Sequence, residues 1–134
     1  MIAADTSLVV AAFASWHEGH LAAVKALARR LRLPAYVLIE TYSVLTRLPP
    51  PHRAPADAVA SFLSEWFPAP PLTLPAAAYR ALVGAAVAAD LTGGAIYDAL
   101  IAATAKHAGA LLLTRDRRAL LTYDKMGAPH ELVS

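Results

Sequence analysis

Apolar residues recur along the chain at two periods, and the switch between them divides it into alternating strands and helices. Met1 to Asp5 opens as a strand. Leu8 to about Ala14 reads as a short helix, and a second helix from about His17 to Arg30 carries Leu21, Val24, Leu27 and Leu31 on one face. Leu31 to Leu33 is a short strand. The spacing of Val37, Thr41, Val44, Leu45 and Leu48 predicts a helix over Ala35 to Leu48 with those residues inward. Pro49-Pro50-Pro51 ends it, because proline cannot continue a helix. Helices over about Pro55 to Trp66 and Pro75 to Ala89 bracket a strand at Leu72 to Leu74. Another helix opens after Gly93-Gly94 and runs to about His107. Leu111 to Thr114 is a buried-type strand, and His130 to Val133 is a last short one. Strands alternating with helices imply the α/β class, a parallel sheet covered on both faces.

Composition narrows the reading. A length of 134 residues suits one domain, 1–134. With 57% hydrophobic and 16% charged residues, the chain can bury a sizeable core and is not disordered. Its longest apolar runs, such as Leu8 to Ala14, are too short to span a bilayer, so no membrane association is expected. Met1 leads straight into Ile2-Ala3-Ala4-Asp5 with no basic stretch, and no secretory signal is expected. There are no cysteines, which excludes disulfides, thiolate metal sites and cysteine nucleophiles and fits a cytoplasmic protein. A net charge of +2 and a pI of about 9.2 permit nucleic-acid binding without requiring it.

Four acids stand where chemistry would need them. Asp5 ends the first strand and Asp116 lies just past the Leu111–Thr114 strand; open parallel sheets build sites beyond the carboxyl ends of strands. Glu40 and Asp98 interrupt apolar helical stretches. Singly, each has a structural explanation. Asp5 and Asp116 could cap the helices after them, Asp98 could be a helix-start residue, and Glu40 could sit on a helix edge. Together they form a set of carboxylates that would repel one another and lose hydration. A divalent cation offsets both costs, and oxygen-only donors suit Mg²⁺ or Mn²⁺. Such an ion lowers the pKa of bound water and stabilises charge on a phosphoryl oxygen, the chemistry of phosphodiester hydrolysis.

The same residues carry a resemblance. Ala4-Asp5-Thr6-Ser7, the stretch Leu38-Ile39-Glu40-Thr41, Gly93-Gly94-Ala95-Ile96-Tyr97-Asp98-Ala99-Leu100-Ile101-Ala102-Ala103-Thr104-Ala105, and Leu112-Leu113-Thr114-Arg115-Asp116 follow in order over nearly the whole chain. The chain resembles the PIN-domain ribonucleases, most closely the VapC toxins of VapBC toxin–antitoxin systems. The resemblance implies a three-layer α/β/α sandwich on a short parallel sheet, and a metal-dependent endoribonuclease neutralised by a VapB-like antitoxin and acting as a homodimer. It makes Asp5, Glu40, Asp98 and Asp116 the acidic site. Asp5 and Asp98 are then direct ligands of Mg²⁺ or Mn²⁺, Asp116 a ligand directly or through water, and Glu40 either a ligand or an activator of water. Thr6 and Thr114 become supporting hydroxyls. Some relatives carry a further acid after the last site aspartate; Arg117 and Arg118 stand there in this chain, which argues against a fully liganded second metal.

Other features are less specific. Arg115, Arg117 and Arg118 form a basic cluster suited to phosphate contact, or equally to a solvated surface. His17 and His20 share near-ligand spacing but lack a third zinc-type ligand, so surface or structural roles are expected. Trp16, Trp66 and Phe67 could stack bases, although core packing or a protein interface is the expectation. A PIN nuclease acting in RNA processing without an antitoxin is the nearest alternative. A signalling receiver domain also uses carboxylates and Mg²⁺, but Leu72-Thr73-Leu74 is followed by Pro75 rather than the aspartate it needs, and no suitable lysine follows Leu113.

Overall fold

The computed structural model describes residues 1–134. Three short apolar segments form its sheet: β1 (Ile2–Ala4), β2 (Leu111–Thr114) and β3 (His130–Leu132). All pair in parallel in the order β1-β2-β3. Ile2 stands opposite Leu111 and Leu112 opposite His130. Leu112, Leu113 and Thr114 in the central strand are buried, as a strand covered on both faces requires.

The strands expected at Leu31–Leu33 and Leu72–Leu74 persist only as single parallel bridges, Ala3 with Arg32 and Pro34 with Leu72. Arg32 N–H donates to Ile2 O at 2.8 Å, and Leu72 N–H to Leu33 O at 2.8 Å. They widen the sheet beyond β1 but cannot lengthen into ladders. Pro34, Pro70, Pro71 and Pro75 have no N–H to donate.

Seven helices connect and cover the sheet: α1 (Thr6–Phe13), α2 (His20–Leu27), α3 (Ala35–Arg47), α4 (Ala56–Trp66), α5 (Ala78–Ala88), α6 (Ala95–His107) and α7 (Leu120–Lys125). The result is the expected three-layer α/β/α sandwich. α1 packs against α2, α3 and β2, while α6 packs against α5, α7 and β2. One main core runs through β1, β2, α1, α3 and α6, and includes Leu8, Val37, Leu45, Ile101 and Leu113. A smaller one, Leu82, Ala86, Leu91 and Ala99, joins α5 to α6.

Three expectations change. α2 starts three residues later than His17, because a turn closes first: His20 N–H reaches His17 O at 3.0 Å. Its inward face is Ala23, Ala26 and Leu27, and Leu21 is 83% exposed with Val24 also outward; small alanines let the helix approach α1 closely. His17 and His20 therefore share no helix face. Trp16 and Trp66 are about half exposed rather than core, whereas Phe67 is buried. Finally, the segment that Asp116 caps is a short 3-10 turn (Arg117–Ala119), and α7, to which the periodicity gave no bounds, follows it. It buries Thr122 and Tyr123.

Candidate active site

Asp5 is the first residue beyond β1, and its N–H continues the ladder to Leu113 O at 3.0 Å. Its carboxylate turns back over the start of α1. There Oδ1 accepts from Leu8 N–H at 3.2 Å and from the Ser7 hydroxyl at 2.6 Å. Oδ2 accepts from the Tyr123 hydroxyl at 2.7 Å. Asp5 is 2% exposed. Burial raises its pKa, and the hydrogen bonds from Ser7, Thr114, Tyr123 and Leu8 work against that rise. Asp116 stands two residues beyond β2, held by its N–H on Thr114 Oγ1 at 3.0 Å. Its side chain caps the 3-10 turn through Arg118 N–H at 2.9 Å.

The other two acids come from helices. Glu40 projects from α3 and is fastened at both oxygens: the Thr6 hydroxyl donates to Oε1 and the Tyr36 hydroxyl to Oε2 at 3.2 Å. Asp98 lies in the first turn of α6, where unpaired N–H groups favour negative charge. It forms no hydrogen bond and no ion pair. Asp5, Glu40, Asp98 and Asp116 all line one open cleft of about 560 Å³ at the carboxyl end of the sheet. Asp98 registers the company most clearly. Burial, then the charges of Asp116, Asp5 and Glu40, push its pKa up to about 6.

The donor set fits a hard divalent cation. It is all oxygen, and its members repel one another through a partly dry cleft. No three of the acids converge around a single point as the side chains stand. Asp5 and Glu40 are tied by hydroxyl and amide donors, whereas Asp98 and the second oxygen of Asp116 are not.

The remaining predicted residues separate into groups. Thr6 reaches Glu40. Thr114, fully buried, accepts from Asp116 N–H and meets the Ser7 hydroxyl at 3.3 Å. Arg115 lines the cleft but is committed elsewhere: Nη1 donates to Val133 O at 2.9 Å, and the guanidinium lies so close to Gly19 that a Cβ there would sit 2.2 Å from Nε. The Arg118 side chain is 97% exposed at the cleft rim; Arg117 is exposed outside it. Asp124 is a surface residue 3.3 Å from His130 Nε2. Four contributors were not anticipated: Ser7, Tyr36, Tyr123, and the His17-Glu18 pair on the cleft wall. Tyr36 had a visible signal, one helical turn before Glu40. Tyr123 lies 118 residues from Asp5 and had none.

The family model of the PIN domain matches residues 2–125, a span holding all four acids. The chain belongs to the PIN domain family. Among its relatives, Ribonuclease VapC40 of Mycobacterium tuberculosis is 54% identical over 134 residues, the full length of both chains. Ribonuclease VapC27 of the same organism (strain H37Rv) is 44% identical over 128 residues, 94% of this chain and 92% of the relative. In this PIN domain the α7 tyrosine and the α3 tyrosine, Tyr123 and Tyr36, complete the hydrogen bonding of two of the four acids.

Proposed function

We propose that this chain, acting as one nuclease domain over residues 1–134, is an endoribonuclease toxin that hydrolyses RNA phosphodiester bonds and is neutralised by a VapB-like antitoxin. The observation that carries the reading is the meeting of Asp5, Glu40, Asp98 and Asp116 in one cleft, in a chain 54% identical to Ribonuclease VapC40 along its whole length. Asp5, Asp98 and Asp116 would hold a Mg²⁺ or Mn²⁺ ion, which would supply Lewis acidity toward a phosphoryl oxygen and lower the pKa of water. Hydrolysis joins a water oxygen to phosphorus and breaks one P–O bond, and the departing ribose oxygen leaves as a hydroxyl with a proton taken from solvent. Glu40, oriented by Thr6 and Tyr36, accepts the proton that this water releases. Thr114 and Ser7 hold Asp116 and Asp5 in place, and Arg118 at the rim meets backbone phosphate. The expected assembly is a cytoplasmic homodimer. An arginine of the antitoxin entering the cleft would pair bidentately with the carboxylates, displacing the cation and blocking RNA.

The test has two arms. Purified protein is incubated with total RNA in Mg²⁺, Mn²⁺ or EDTA beside Asp98→Asn, and cut sites are mapped. The protein is also expressed with and without its neighbouring gene. Cation-dependent cutting by the wild type alone, with growth arrest relieved by the neighbour, is the expected result. Cutting with no protective neighbour leaves a PIN nuclease of RNA processing. No cutting under any cation removes the enzymatic reading.

A further inference from the structure

Five acids, Asp5, Glu18, Glu40, Asp98 and Asp116, line the cleft, against two arginines, of which Arg115 is tied to Val133 O. An RNA strand is a polyanion, so this cleft opposes it electrostatically wherever no cation intervenes. Affinity must then come partly from uncharged surface. Such a surface stands beside the acids. The rings of Tyr36 and Tyr97 lie parallel, 5.3 Å between centroids and 9° between planes. Tyr36 is packed against the main core and anchored by its hydroxyl on Glu40 at 3.2 Å. Tyr97 immediately precedes Asp98, is 50% exposed, and makes no hydrogen bond through its hydroxyl. An aromatic ring already immobilised against another loses little freedom on receiving a third, and every base has a π-face to offer.

We infer that Tyr97, backed by Tyr36 beside Glu40, is a stacking platform for an unpaired nucleobase flanking the scissile phosphate. The inference rests on the ribonuclease reading and adds a specificity-determining residue to it. Bases in a duplex are already stacked on both faces and cannot occupy the platform.

The test uses a fluorescein-labelled oligoribonucleotide spanning a mapped cut site, and a series of the same strand with one abasic position each. Binding is read by fluorescence anisotropy in the Asp98→Asn background, which keeps the strand intact, and wild-type cleavage is followed alongside. Tyr97→Ala should weaken binding of the intact strand about 10-fold. Tyr97→Phe should bind normally, and Tyr97→Leu should resemble Tyr97→Ala. One abasic position next to the cut should weaken binding by a similar factor and make the Tyr97→Ala change silent. Equal loss on intact and abasic strands at every position overturns the proposal. So does a changed molecular mass of Tyr97→Ala in light scattering, since the ring would then serve a protein interface. If the wild type neither binds nor cuts the intact strand, the ribonuclease reading falls and takes this proposal with it; if it cuts and Tyr97→Ala binds normally, only the platform falls.

Discussion

Replacing Asp98 by asparagine should make the metal-free protein more stable while abolishing RNA cleavage. Asp98 has no hydrogen-bond partner and faces three other acids, and its pKa rises from 3.8 to about 6. Between about pH 4 and 6 the native protein keeps a proton on Asp98 that the unfolded chain has released. Stability therefore falls as pH rises through that window, and the whole penalty is present above it. At about 1.36 kcal/mol per pKa unit the unscreened penalty is about 3 kcal/mol. Asp98 is only half-buried, and screening by water reduces the expected gain from Asp98→Asn to about 1 kcal/mol at pH 7.5. In a chain of this size that is about 4 °C in Tm. The assay is calorimetry of both proteins in EDTA at pH 7.5 and pH 4. The gap should appear at the higher pH and close at the lower, where wild-type Asp98 is already protonated. An Asn variant that melts below the wild type at pH 7.5, or a gap unchanged at pH 4, would falsify the claim that repulsion is stored at this residue.

Four further outcomes follow from the same geometry. Tyr123→Phe removes the donor to Asp5 Oδ2; kcat should drop about 10-fold with KM little changed and the circular dichroism spectrum intact, since partners of ligating groups contribute on that scale. Saturating Mn²⁺ should raise the Tm of the wild type, by about 2.7 kcal/mol of stability at 100 times Kd, and leave Asp98→Asn much less affected. Cation affinity should weaken as pH drops below about 6, because proton and cation then compete for Asp98; a Kd for Mn²⁺ that is flat down to pH 5 would contradict this role. Gly19→Ala should lower the Tm by about 1 kcal/mol of stability, since the new methyl meets the Arg115 guanidinium that Val133 O holds in place.

Element type was legible wherever apolar periodicity ran long. α3 and α6, each 13 residues, sit within a residue of the sequence reading. What failed was local. Leu21 and Val24 have the right spacing for a buried face, yet the core takes Ala23 and Ala26 instead. Periodicity reports which residues share a face, and size decides which face can approach α1. The bounds and buried face of α7 could not be read because six residues give too few turns to show a period. Of the site, the four acids could be read from their positions at strand ends and in apolar helices. Their fastenings split by distance. Ser7 and Tyr36 lie within four residues of the acid they hold and could have been found. Tyr123 reaches Asp5 only through the packing of α7 against α6, a tertiary fact with no local trace.

The structural and functional readings of these acids turn out to be compatible rather than rival. Asp5 does cap α1 and Asp116 does cap the 3-10 turn, as any aspartate in those positions could. A cap consumes one oxygen's lone pairs and fixes the carboxylate at the sheet edge, which is also where a cation would need it. Capping thus offsets part of the cost of keeping Asp5 buried, and the ordinary rules of helix initiation pre-position two of the proposed ligands. Glu40 is fixed by side-chain hydroxyls instead. Only Asp98 is left without a donor, so only there does the charge of the cluster fall undiminished. The residue with no structural partner is therefore the one at which stability and activity oppose each other most sharply, and an external cation is the partner its chemistry lacks.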